Sequence, residues 1–214
     1  MGMRAGSFDD RRDAGRALGE RLLDLDLSDP VVLGLARGGV AVAAAVAEVL
    51  GVPLDVIVTR KVGAPGNPEF GLGAVAPGVV HLNPMASAYS GQGYLDAEIE
   101  EQMHEVERRT LLYRGDAPEP ELAGRTAVVV DDGIATGGTA IAALEYARGR
   151  GAARVILAVP VGPPGVKERI GDAADEVIVL LKPPFFSAVG QFYLDFTQVE
   201  DDEVIALLKH ERPG

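Results

Sequence analysis

The chain has 214 residues, 47% of them hydrophobic and 5% aromatic, a composition and length suited to one sizeable α/β domain cored by Val, Leu, Ile and Ala. Its formal net charge of −12 excludes a general nucleic-acid binder, and its lack of cysteine excludes disulfides, thiolate nucleophiles and Cys-based zinc sites. No apolar stretch approaches the ~20 residues that span a bilayer, and Met1 to Arg16 has no apolar leader core, so a cytoplasmic protein with no membrane partner is expected.

Phe8–Leu25 carries Phe8, Leu18, Leu22, Leu23 and Leu25 among charges, a pattern that predicts an amphipathic helix. Ser28-Asp29-Pro30 is a turn and Val31–Leu35 a buried strand. Ala36-Arg37-Gly38-Gly39 then connects to an Ala/Val-rich helix, Val40–Leu50, closed by Gly51 in the place of a left-handed cap. Leu54–Thr59 is the next strand. Arg60–Pro68 reads as a loop, Gly71–Ala76 and Val79–Leu82 as a hairpin, and Asn83–Gly93 as a mobile connection. Leu95–Leu112 is highly charged and reads as a solvent-washed surface helix, with a moving lid as the alternative.

The regular pattern resumes with a strand at Thr126–Val130, a helix at Gly138–Arg150, a strand at Arg154–Val159, a short helix at Gly165–Ile170 and a strand at Glu176–Leu181. An aromatic segment, Phe185–Phe196, and a helix from about Glu200 to His210 complete the chain. This alternation predicts a Rossmann-like, mostly parallel sheet flanked by helices, in one domain over 1–214. His81, His104 and His210 are scattered without metal-ligand spacing.

The segment that carries chemistry is Val-Val-Val-Asp-Asp-Gly-Ile-Ala-Thr-Gly-Gly-Thr, residues 128–139. An apolar strand delivers Asp131 and Asp132 to its carboxyl end, where open α/β sheets bind ligands. The turn at Ala135, Thr136, Gly137, Gly138 and Thr139 leads into a helix whose amides favour a phosphate dianion. Two carboxylates beside such a nest would repel a bare polyphosphate; they suit a ribose diol and the waters of a divalent ion. Together they describe a sugar phosphate. A nucleoside-triphosphate loop would need a Lys after the glycines, and a dinucleotide fingerprint would need Gly-x-Gly-x-x-Gly after the first strand; neither is present. The bland alternative is a strand–turn–helix whose Asp and Thr only cap the helix.

This segment resembles the phosphoribosyl pyrophosphate (PRPP) motif of the type I phosphoribosyltransferases, and the whole chain resembles a bacterial subgroup whose base the motif does not name. The resemblance implies that Asp131 and Asp132 meet the ribose hydroxyls while residues 135–139 wrap the 5′-phosphate. It further implies a core over about 26–182, a small hood from the N-terminal helix and 183–214, and a flexible loop and helix insertion over about 62–114. Ala36-Arg37-Gly38-Gly39 corresponds to the family's pyrophosphate loop, where a strained peptide bond is common. Arg37, Arg60 and Lys61 would add cations at that mouth, against the plain reading of surface charges.

The expected reaction is magnesium-dependent transfer of ribose 5-phosphate to a nitrogen nucleophile, a nucleobase, with release of pyrophosphate. Asp131, Asp132, Arg37 and Lys61 would carry it by positioning and charge stabilisation. The metal would have no direct protein ligand, the acid pair reaching it through water. Phe185, Phe186 and Tyr193, after the last core strand, would hold the base, or else bury one another. The sequence leaves the oligomeric state open, with a homodimer as one option. The rival readings are a PRPP-sensing regulator on the same fold and a hydrolase using the acid pair; the latter lacks an early nucleophile loop.

Overall fold

From the amino end, helix α1 (Arg11–Leu22) leads to strand β1 (Pro30–Leu35), helix α2 (Gly38–Leu50) and strand β2 (Leu54–Ile57). Strands β3 (Arg60–Ala64), β4 (Asn67–Ala76) and β5 (Val79–Leu82) follow without an intervening helix, then the short α3 (Ala86–Tyr89) and the long α4 (Gln92–Arg114). Alternation resumes through β6 (Thr126–Val130), α5 (Gly138–Gly149), β7 (Arg154–Val161), α6 (Val166–Ile170) and β8 (Glu176–Leu181) to α7 (Asp201–His210). This computed structural model describes residues 6–210, the His210 side chain excepted. Expectations for Met1 to Ala5, residues 211–214 and that side chain lie outside the described residues.

The short apolar runs of β1, β2, β6, β7 and β8 form one parallel sheet in the order β2-β1-β6-β7-β8. Every residue of β6 is buried, as strands covered by helices on both faces require. One face is closed by side chains such as Leu18 of α1, Val46 of α2 and Leu208 of α7, the other by Leu144 of α5 and Ile170 of α6. The mostly parallel α/β sheet expected from the sequence is observed. From β1 the chain moves outward to β2, while β6 lies on the other side of β1. The direction of progress therefore reverses between β1 and β6, which opens a crevice at their carboxyl ends.

Several local expectations are corrected. Helix α1 begins at Arg11, because the Asp10 carboxylate accepts from the Asp13 amide at 2.8 Å and caps it. Phe8 is instead extended and paired with Tyr193. Along α1, Gly15 and Gly19 lie against Val42, Ala45 and Val49 of α2, while Ala14 packs with Phe8, Val161 and Tyr193. The presumed loop Arg60–Pro68 is mostly strand: β3, β4 and β5 make a three-stranded antiparallel sheet. Irregular register beside Gly63 absorbs the Gly and Pro spacing that masked it.

The strand after α2 stops at Ile57, and β7 runs on to Val161. Within the stretch 83–93 stand α3 and the start of α4. Nor is α4 merely solvent-washed. Leu95, Val106 and Tyr113 are buried, the Tyr94 hydroxyl donates to the Gly63 carbonyl at 3.2 Å, and the Tyr113 hydroxyl donates to Asp201 at 2.6 Å. Among the described residues no helix is long and apolar enough to cross a membrane.

Candidate functional site

Because β1 and β6 pair in parallel with Gly34 beside Val130, the loops that follow them leave the sheet side by side. Their contact explains the two glycines. A Cβ on Gly39 would stand 2.7 Å from the Val130 carbonyl oxygen and 2.9 Å from Asp131 Oδ1, and one on Gly38 would overlap the Asp132 carboxylate. Glycine lets the first loop press directly on the acid pair. The Ala36–Arg37 peptide is cis.

The three cations expected near this mouth hold other partners. Arg37 Nη1 lies 3.4 Å from Glu200 Oε2 and 3.6 Å from Asp201 Oδ1 at the start of α7. Lys61 Nζ lies 3.1 Å from Glu69 Oε2 on β4, and Arg60 Nε donates to Gln102 Oε1 of α4 at 3.0 Å. The structure thus brings Gly38 and Gly39 onto Asp131 and Asp132, while Arg37, Arg60 and Lys61 point to neighbouring elements.

Asp131 and Asp132 form the polar floor of the crevice. The Asp132 amide donates to Asp131 Oδ1 at 2.9 Å. Burial raises both carboxyls above the ordinary aspartate range; Asp131 stands well above it, pushed further by the charge of Asp132. Arg11, the first residue of α1, opposes this: its Nε lies 2.9 Å from Asp132 Oδ2. The same guanidinium donates to the Thr197 carbonyl at 2.7 Å and lies 3.9 Å from the Phe196 ring centroid. Beneath, the Tyr193 hydroxyl donates to the Asp132 carbonyl at 2.5 Å, and burial, then the Asp132 charge, raises that phenol. Sequence reasoning missed Arg11, because an Arg among surface charges of an amphipathic helix gives no local signal of a partner 121 positions away.

Residues 135–139 form the second part of the floor. Gly137 takes φ 91° as the N-cap of α5, a conformation that favours glycine. No side chain caps this helix, so its first-turn amides are open to an anion. A Cβ on Gly138 would meet nothing within 4 Å, so space lies before that backbone. Thr136 is exposed and Thr139 half-buried. Arg169 of α6, also missed from the sequence, donates to the Ala135 carbonyl and braces the loop from outside.

The aromatic segment divides. Phe185 is 90% exposed, whereas Phe186 stacks on Phe192 with centroids 5.6 Å apart. Tyr193 is buried between Phe8 and Phe196, at centroid distances of 5.7 and 5.0 Å. Its hydroxyl meets the Asp132 carbonyl, and its ring is packed among other aromatics, the alternative the sequence had left open for this segment. A separate cavity of about 620 Å³ lies between α1, α2 and α7 and meets the site at Arg11 and Thr197.

Comparison with known proteins gives this geometry a setting. Residues 9–197 match the phosphoribosyl transferase domain family. A protein of Mycobacterium tuberculosis H37Rv, whose name assigns it provisionally to the phosphoribosyl transferases, is 49% identical over 204 residues, which are 94% of this chain and 46% of that protein. The chain spans about half the length of the curated relatives it matches. A uracil phosphoribosyltransferase of Beutenbergia cavernae is 36% identical over 113 residues, 51% of this chain and 49% of that protein. Among solved structures, TT1426 from Thermus thermophilus has a TM-score of 0.83 at 48% identity, covering 97% of this chain and 100% of that one. A Neisseria gonorrhoeae protein solved with bound ppGpp has a TM-score of 0.53 at 16% identity, covering 96% and 95%, a likeness of fold.

Proposed function

The chain belongs to the phosphoribosyl transferase domain family, and from that premise we propose that it transfers the ribose 5-phosphate of PRPP to a nitrogen nucleophile, a nucleobase, and releases pyrophosphate. One observation carries the reading: a half-buried acid pair, a glycine loop pressed against it and an uncapped helix start share the crevice between β1 and β6. Asp131 and Asp132 accept hydrogen bonds from the ribose diol. The amides of residues 135–139, with the Thr136 and Thr139 hydroxyls, hold the 5′-phosphate. The amides of Gly38 and Gly39 meet the diphosphate, and Arg37 and Lys61 stabilise it after exchanging Glu200 and Glu69 for the ligand. Phe185 offers its exposed face to the base.

Magnesium fits this donor set. Asp131 and Asp132 are hard oxygen donors, held above their ordinary range by burial and, for Asp131, also by the charge of Asp132, a state that a cation or a diol relieves. The pair would hold the ion's waters, and magnesium bound with PRPP would neutralise charge on the leaving diphosphate. The protein's own contribution is to fix the sugar and phosphate relative to the base and to stabilise the departing anion.

Incubation with PRPP, magnesium and a panel of bases, followed by pyrophosphate release, tests the reading. Base-dependent release is expected. Tight PRPP binding without release on any base would make the chain a PRPP sensor, and absence of PRPP binding would overturn the assignment.

A further inference from the structure

We infer that Arg11 is a positioning residue that orients the Asp132 carboxylate toward the ribose diol; this rests on the PRPP reading above. Its Nε lies 2.9 Å from Asp132 Oδ2, and the side chains of both residues are largely buried. The guanidinium is itself held on two further sides. Nη1 donates to the Thr197 carbonyl at 2.7 Å and the Phe196 ring lies under it at 3.9 Å, while Gly38 leaves room for it, since a Cβ there would stand 3.0 Å from its Nε. It therefore sits where the acid pair, the glycine loop after β1 and the segment after Phe196 meet. The Tyr193 hydroxyl holds the Asp132 carbonyl from below, so the residue is gripped at its backbone and at one carboxylate oxygen. The other oxygen is left to the ligand.

A planar fork that keeps its proton suits this task; an ammonium would supply charge without fixed direction. Residues 135–139 lie outside this grip, and Arg11 touches none of them directly. Loss of Arg11 should thus weaken recognition of the sugar while sparing the phosphate loop.

The test compares wild type, Arg11→Gln, Arg11→Lys, Asp132→Asn and the double variant Arg11→Gln/Asp132→Asn. Calorimetry with magnesium and PRPP is paired with inorganic phosphate followed by amide chemical shifts at residues 136–139. Arg11→Gln should weaken PRPP binding roughly tenfold or more, the scale of one charge-assisted hydrogen bond. Phosphate shifts should stay at wild-type values, Arg11→Lys should lie between, and the Gln change should add almost nothing to Asp132→Asn. Equal PRPP affinity in Arg11→Gln, an undiminished loss in the Asp132→Asn background, or parallel loss of PRPP and phosphate each overturns the inference. Should the Gln variants fail to fold, Arg11→Lys carries the same comparison: PRPP affinity equal to wild type overturns the inference, and partial loss with phosphate spared supports it. A wild-type protein that does not bind PRPP removes the proposed function and this inference together, an outcome separate from one in which wild type binds and the variants do too.

Discussion

At the scale of single residues, the two aspartates make opposite demands on stability and binding. Asp131 is held well above its ordinary range by burial and by the charge of Asp132. The native state therefore keeps a proton that the unfolded chain has already released. Between the ordinary value and the raised native one, the native state binds more protons, so stability falls as pH rises and levels off above the native value. Asp131→Asn removes that charge. The ligand-free variant should melt at or above wild type at neutral pH, with a flatter pH dependence, yet lose about 1.5–3 kcal/mol of PRPP binding. Asp132→Asn differs because it strips Arg11 of a charged partner, and should destabilise the ligand-free protein by about 1–3 kcal/mol. Thermal melts across pH, with and without PRPP, separate the two. Identical behaviour of both variants would contradict the asymmetry.

At the scale of elements, the loop before α5 allows a cleaner test than any catalytic side chain. Gly138 faces open space, with nothing within 4 Å of where a Cβ would stand, so Gly138→Val should fold with a wild-type melting temperature. Its branched side chain would nonetheless fill the place of the phosphate, and PRPP binding should disappear. Gly137→Val should fail in a different way, by destabilising the fold, because φ 91° is costly for a branched residue. A Gly138→Val protein that binds PRPP normally would move the phosphate elsewhere. Similar reasoning divides the aromatic segment. Phe185→Ala removes an exposed ring and should raise the Michaelis constant for the base by the equivalent of about 1–3 kcal/mol, with no change in melting. Phe186→Ala removes a ring stacked on Phe192 and should lower the melting temperature. If Phe185→Ala leaves base kinetics unchanged, the base must be held by other residues.

Legibility in the sequence follows the same division of scale. The five parallel strands announce themselves because burial on both faces leaves continuous Val, Leu and Ile runs, Thr126–Val130 above all. The acid pair and the 135–139 turn are legible because their order along the chain is itself the site. β3 was hidden because Arg60, Lys61 and Gly63 carry no apolar alternation, and their pairing with β4 is irregular. The buried stripe of α4 was hidden by the charges around Leu95, Val106 and Tyr113. Arg11, and the contact of Tyr193 with Asp132, could not be found, since partners 121 positions before and 61 after meet only once the sheet has formed.

At the scale of the whole molecule, the segment before α1 and the segment after β8 are joined to each other beside the site. The Phe8 amide donates to the Phe192 carbonyl at 2.8 Å, the Leu194 amide donates to the Phe8 carbonyl at 2.9 Å, and the Phe8 ring is fully buried against Tyr193 and Val161. Tyr193 in turn holds Asp132, so a defect where these two segments pair has a physical route to the acid pair. Phe8→Ala should cost about 3–5 kcal/mol of stability, as expected for emptying a large buried aromatic site. Leu111→Ala, at a position 70% exposed on α4, should change stability by no more than about 0.5 kcal/mol. The informative comparison is made on folded protein, well below the melting temperature of Phe8→Ala. There PRPP binding should be weaker than in wild type, because Tyr193 has lost the ring that fixes it, while Leu111→Ala should bind normally. Chemical denaturation gives the first quantity and calorimetry the second. A Phe8→Ala protein that is destabilised yet binds PRPP with wild-type affinity would show that the pairing of Phe8 with the segment after β8 stabilises the fold without setting the geometry of Asp132.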